Sequence, residues 1–242
     1  MFLDGLGITN SHSLYLWFLS VLLKRLHIVD LGPCSKFLNI LIICDCPHHR
    51  LWLSSHIYVS ELLDKWHLGS CKTMTTPFPS SFPSISDAQH GTALLDIPDA
   101  DLVPHYQRLV GCLLYLAIAT LLDLSYYAMW LGQHNVSPTR AHFLVAKHVL
   151  HYLAGTKFLA LCLGTSSLCV PATLSAYMQN VGCTDADWAS DTVDWKSILG
   201  YSFYFQGSLV SWSAVKQKSI ALSSTEAEYY TMTHAFKEVL WL

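Results

Sequence analysis

The chain has 242 residues, of which 52% are hydrophobic and only 13% charged, and a formal net charge of −3. That much apolar material excludes intrinsic disorder and leaves room for one large domain or two small ones. The acidic balance excludes strong generic affinity for nucleic acid, which comes from Lys and Arg displacing counterions along the phosphates.

The charged fraction is about half of that usual in soluble domains. Together with 8 Trp and 12 Tyr it implies apolar side chains at positions normally exposed. Such a chain is poorly soluble, or is a fragment whose partner surfaces are missing. The 8 Cys lie scattered among apolar residues in a chain too long to need staples, which reads as reduced thiols in an intracellular protein, cytoplasmic or nuclear rather than secreted.

Leu14 to Leu26 reads as a helix closing on the cations Lys24 and Arg25. Its run from Leu14 to Leu23, broken by Ser20, is shorter than the roughly 20 apolar residues that span a bilayer, and no basic segment precedes it as in a signal peptide. A buried helix is the expectation, with no membrane partner. Phe37 to Cys44 is β-rich, Leu51 to Ser54 a short strand, and Ser60 to Trp66 a helix.

The segment 73–104 carries Pro77, Pro79, Pro83, Pro98 and Pro104 among Ser and Thr, and is expected to be an extended or turning linker. Helices follow over Tyr106 to Ala119, nearly apolar all round and therefore buried, and over Leu124 to Gly132. A third helix takes Ser137 as N-cap, Pro138 at N1 and Gly155 as the residue past its end. Its outer side carries Arg140, Lys147 and His151, a candidate phosphate-facing stripe whose alternative is a solvated helix face.

The last segment, 157–242, opens on a strand over Phe158 to Leu163 and a second over Val181 to Asp185. Tyr201, Phe203 and Phe205 alternate with polar residues as a half-buried strand, Gly207-Ser208 turns the chain, and Val210 to Ala214 completes a hairpin. Ser223 with Glu226 forms a capping box opening a helix that runs to the end.

Asp185 thus closes a strand and Glu228 lies in the second turn of a helix. If that helix packs across the sheet, both carboxylates can face one Mg²⁺, although a two-metal nuclease needs more acidic ligands than two. The alternative is a turn aspartate and a solvated helix glutamate. Cys44-Asp45-Cys46 with His48 and His49 is too crowded for a zinc site with separate knuckles.

Thr184-Asp185-Ala186-Asp187-Trp188-Ala189-Ser190-Asp191, Val210-Ser211-Trp212-Ser213, Lys216-Gln217 and Ala221-Leu222-Ser223-Ser224-Thr225-Glu226-Ala227-Glu228-Tyr229 resemble the ribonuclease H domain of copia-type retrotransposon Pol polyproteins. Tyr106 to Gly111, Leu114 to Leu116 and Pro138 to Thr156 resemble the segment joining reverse transcriptase to ribonuclease H. Ile28 to Gly32, Trp52 to Ser54 and Tyr58 to Leu63 are similar to the end of the polymerase palm and the thumb.

The resemblance implies an α/β (α+β) chain: a palm and thumb remnant at 1–72, the linker at 73–104, a helical connection at 105–156, and a truncated ribonuclease H-like domain with a mixed sheet at 157–242. It makes Asp185 and Glu228 two of the ribonuclease H acids and places the remaining two beyond Leu242. Asp4 matches the first aspartate of the polymerase metal hairpin, and Gly5 stands where the second is expected. A glycine offers Mg²⁺ neither oxygen nor charge, so phosphoryl-transfer stabilisation falls severely.

Both ancestral Mg²⁺ sites are therefore incomplete, with no Mg²⁺ stably bound, and whether the chain is an enzyme is left open. The implied reading is an inactive polyprotein fragment with weak affinity for RNA–DNA hybrid and association with other polyprotein segments. Alternatives are a domesticated nucleic-acid-binding module resting on Arg140, Lys147, Lys216 and Lys218, or a hydrolase completed by a partner chain.

Overall fold

The computed structural model describes residues 12–27, 34–78, 100–164, 180–191 and 194–242. These residues are mixed helix and sheet, consistent with the α/β class. Helix α1 (His12–Arg25) forms where the apolar run predicts it and carries Lys24 and Arg25 in its last turn. It is not a buried helix: Leu16, Trp17 and Leu23 are exposed. Among the described residues no helix is long and apolar enough to cross a membrane.

Strands β1 (Lys36–Phe37), β2 (Ile40–Asp45) and β3 (Arg50–Ser54) form an antiparallel meander. The β1–β2 connection is two residues, Leu38 and Asn39, both at positive φ, a turn whose twist matches that of the paired strands. Helix α2 (His56–Lys65) follows and buries Val59, Leu62 and Leu63. They join a core built with α3 (Val103–Ala119), α4 (Ser125–Gln133) and α5 (Arg140–Thr156).

Along α3 the residues Tyr106, Leu109, Val110, Leu113, Leu116 and Ala117 recur at helical spacing and are buried. Its other side is not buried, and Ile118 stands in solvent. The Tyr106 hydroxyl, buried with that face, donates to the Leu131 carbonyl at 2.7 Å and so ties α3 to α4.

The start of α5 differs from expectation. The N-cap is Thr139, not Ser137, and Pro138 precedes it rather than opening the helix. Thr139 is extended (φ −97°, ψ 168°), and its hydroxyl accepts from the His142 amide at 3.3 Å. His142 Nδ1 in turn accepts from the Thr139 amide, so a histidine fills the role usually taken by Glu or Gln. Gly155 lies inside the last turn instead of past it, where a Cβ would come within 3.1 Å of Thr73.

That contact belongs to a larger one. The first residues of the expected linker are docked on α5: the Met74 amide donates to the His151 carbonyl, His151 Nδ1 lies 2.7 Å from the Lys72 carbonyl oxygen, and His148 Nε2 lies 3.0 Å from that of Thr76. Phe78 stacks on Tyr127 and meets Trp130 edge-on. The rest of the linker, 79–99, lies outside the described residues.

Strand β4 (Ala160–Gly164) forms near its expected place but completes the first sheet, pairing antiparallel with β3 in the register Leu51↔Leu163 and Leu53↔Leu161. Gly164 must be glycine. Its φ is +131°, and a Cβ there would lie 2.1 Å from the His49 carbonyl oxygen.

The second sheet is β5 (Asn180–Asp187), β6 (Ile198–Phe205) and β7 (Ser208–Lys216), antiparallel in that order. Gln206 and Gly207, both at positive φ, make the tight β6–β7 turn. Helix α6 (Ser224–Val239) is capped by the Ser223 hydroxyl, which accepts from the Glu226 amide at 3.1 Å. Glu226 reaches back to the Leu222 amide, one residue earlier than in a capping box.

Candidate metal and nucleic-acid site

The second sheet is covered on both faces, and strand alternation decides which residue meets which cover. Thr184, Tyr201 and Ser213 are cross-strand partners in one file. Helix α6 lies on that file: the Tyr201 ring is 5.7 Å from the His234 ring, and Ser211 Oγ donates to Glu238 Oε1 at 2.7 Å. The opposite file contains Trp212 and Lys216, whose indole and ammonium nitrogens donate to the Ala117 carbonyl and to Gln133 Oε1 at the ends of α3 and α4.

Asp185 pairs with Gly200, and Gly200 with Ala214, so Asp185 belongs to the file facing α3 and α4. Glu228 rides on the helix covering the other face. The C-terminal end of β5 does approach the entry to α6, because the Trp188 indole donates to the Ala221 carbonyl at 3.0 Å. The pleat nevertheless assigns the two acids to different faces. Asp185 is exposed and Glu228 half-buried.

Among the described residues neither acid has a hydrogen-bond or ion-pair partner, and no group of three His, Cys, Asp or Glu is placed to hold a metal ion. Asp4 and Gly5 lie outside the described residues.

The expected cations fare differently. Lys216 is half-buried and holds Asp191 Oδ2 at 2.5 Å and Asp194 Oδ1 at 3.0 Å. Burial pulls its ammonium down, but the two carboxylates outweigh burial and hold it above the ordinary lysine value. In the folded chain its ammonium is thus shared between two carboxylates. Asp194 shows the converse: partial burial pushes its carboxyl up, while Lys216 and Lys196 bring it below the usual carboxylate value.

On α5, His151 is half-buried and its Nδ1 is engaged by the Lys72 carbonyl of the docked segment, which sets it apart from Arg140 and Lys147 in the expected stripe. Lys147 lies 4.9 Å from the Phe143 ring centre as a cation–π pair. Arg140 and Lys218 are exposed. Near the Lys216 cluster, the rings of His134 and His142 stack with centroids 3.8 Å apart. Burial pulls His142 down to about 4, with His134 adding to the effect, and burial likewise lowers His134.

The Lys216–Asp191–Asp194 cluster and the histidine stack carry no signal at helical or strand spacing. Asp191 and Asp194 sit three apart beside Lys196, but nothing local says that a lysine from β7 closes them.

Comparison with known proteins places the chain. It is 32% identical over 219 residues, 90% of its length, to the retrovirus-related Pol polyprotein from transposon TNT 1-94 of Nicotiana tabacum. It is 36% identical over 192 residues to that from transposon RE1 of Arabidopsis thaliana. The chain belongs to the copia-type retrotransposon Pol polyproteins.

The copia-type relatives are far longer: the match spans 16% of the tobacco polyprotein and 12% of the RE1 polyprotein. An uncharacterized mitochondrial protein of Arabidopsis thaliana matches end to end, at 30% identity over all of this chain and 92% of its own length. No protein-family model matches this copia-type chain, and no solved structure is significantly similar to it.

Proposed function

We propose that this chain is a catalytically silent segment of copia-type Pol ancestry, derived from the end of reverse transcriptase (1–72), a linker (73–104), a helical connection (105–156) and part of a ribonuclease H-like unit (157–242). The observation that carries the reading is the register of β5: Asp185 pairs with Gly200 in the file that faces α3 and α4, while α6 with Glu228 covers the other face. The residues present do not fit Mg²⁺. Two carboxylates without orienting partners are too few for it, and the neighbouring acids Asp191 and Asp194 are neutralised by Lys216. On the polymerase side, Gly5 in place of an aspartate supports the same reading.

Purified protein incubated with a labelled RNA–DNA hybrid and Mg²⁺ tests it. No cleavage above buffer is expected, and cleavage that disappears in Asp185→Asn overturns the proposal. Nucleic acid remains a partner by ancestry, with weak, salt-sensitive binding through Lys147, Arg140 and Lys218 as the proposed residue of that role.

A further inference from the structure

Strand β2 ends in Cys44-Asp45-Cys46-Pro47-His48. In a regular strand, residues two apart share a face but stand about 6.6 Å from each other along the chain. Here the chain bends at Asp45 (φ −107°, ψ 75°) into a short 3₁₀ turn over Cys46–His48, and the two sulfurs converge to 2.8 Å. Two side interactions hold the bend. His48 Nδ1 lies 2.8 Å from Asp45 Oδ2, and Pro47 limits the backbone inside the turn. The β2–β3 register, Cys44↔Leu51 and Asp45↔Arg50, anchors the base.

Both thiols are exposed, so a small reagent reaches them without unfolding. A disulfide needs a sulfur–sulfur distance of about 2.05 Å, less than about 1 Å closer than they already stand. Among the described residues Cys34 and Cys183 are also exposed, while Cys71, Cys112 and Cys162 are half-buried. The thiol of Cys34 lies against the Lys36 carbonyl oxygen.

We propose that Cys44 and Cys46 form a redox-active dithiol that closes to an intramolecular disulfide by exchange with a small-molecule disulfide of the glutathione class. The Cys46 thiolate attacks one sulfur of the reagent, forming a Cys46 mixed disulfide and expelling one thiolate. Cys44, having lost its proton to solvent, then attacks the Cys46 sulfur, forms the Cys44–Cys46 bond and expels the second thiolate. Two protein thiols are oxidised and one reagent disulfide is reduced to two thiols, so atoms and electrons balance. The contact disfavours Cys44 as the first attacking thiolate: the hydrogen bond to Cys46 raises the Cys44 thiol above its ordinary value, with desolvation and the Cys46 and Asp45 charges adding. The product staples the tip of the β2–β3 hairpin.

The test uses the full reduced chain, oxidised glutathione, alkylation with N-ethylmaleimide and peptide mass spectrometry. The peptide containing both residues is expected to lose two hydrogens and to resist alkylation, while Cys34 and Cys183 alkylate. Cys44→Ser and Cys46→Ser, each left with one of the two thiols, should instead accumulate a glutathione adduct on the remaining cysteine with no loss of two hydrogens. Alkylation of Cys44 and Cys46 as complete as that of Cys34 and Cys183 after oxidation would overturn the proposal, as would disulfides spread evenly over all cysteines.

Discussion

Trp212 of β7 donates its indole N–H to the backbone carbonyl of Ala117, 2.7 Å away and 95 residues earlier in the chain. Ala117 lies in the last turn of α3, where carbonyls lack helical partners, and its oxygen accepts from Trp212 as well as, at 3.5 Å, from Ser125 Oγ, so the indole bond is the shorter of two that satisfy it while seating the second sheet on the helical core. Trp212→Phe keeps an aromatic ring, though a smaller one, and removes the donor. It should cost about 1 kcal/mol, lowering the melting temperature by roughly 2–4 °C in a chain of this size. An unchanged melting curve would show that the indole bond contributes nothing to the docking.

Lys216 fixes a second point of the same contact. Lys216→Met should cost about 1–3 kcal/mol, because the buried carboxylate of Asp191 loses the ammonium that sits 2.5 Å from it. The pH dependence has two sides. Lys216 is raised in the folded state, so its contribution is whole below the unfolded lysine value and lost as pH climbs through the folded one. Asp194 is lowered, so its contribution is whole above the unfolded carboxylate value and lost as pH falls through the folded one. Chemical denaturation across pH should show both slopes in the parent, whereas the Met variant should lose the alkaline slope and keep part of the acid one, because Lys196 still pairs with Asp194.

The cap of α5 separates two adjacent hydroxyls. Thr139→Ala should cost about 1 kcal/mol by leaving a helix amide without its acceptor, whereas Ser137→Ala, exposed and outside the cap, should change stability by less than about 0.5 kcal/mol. Urea midpoints of the two variants decide it. Equal losses, or the larger loss at Ser137, would refute the assignment.

His142 is stacked on His134 and held neutral by burial down to about 4. Unfolded histidine protonates near 6.5, so between about 6.5 and 4 the unfolded state binds the extra proton and stability falls with pH. Asp191 opposes this at His134 and Lys216 reinforces it. His142→Gln keeps an N3 side chain suited to the capping box but cannot titrate. It should melt close to the parent at pH 7 and lose less stability at pH 5; the same acid loss in both proteins would rule out His142 as its source.

Local chemistry was legible where the determinants are local. The apolar run of α1, the alternation of Tyr201, Phe203 and Phe205 and the Ser223 cap all appear where side-chain pattern puts them, while the tight β6–β7 turn falls one residue earlier than expected, on Gln206-Gly207 with Ser208 already in β7. The N-terminus of α5 was misread because Ser137 and Thr139 carry equivalent hydroxyls, and only the backbone decides which one meets an amide. The burial of α1 was overestimated, since apolarity marks a side chain as able to be covered without supplying the cover.

From the sequence alone came the ancestry, carried by motif identity along nearly the whole chain, and the presence of Asp185 and Glu228 on a strand and a helix. Tertiary structure decided the rest. It moved β4 to the edge of the first sheet, docked residues 72–78 against His151 and its neighbours on α5, and closed Lys216 onto Asp191 and Asp194. It also put Asp185 and α6 on opposite faces of one sheet. The reason is the period of a strand: which face a residue serves depends on register against its neighbours, and register is set by contacts between distant segments that no local pattern encodes.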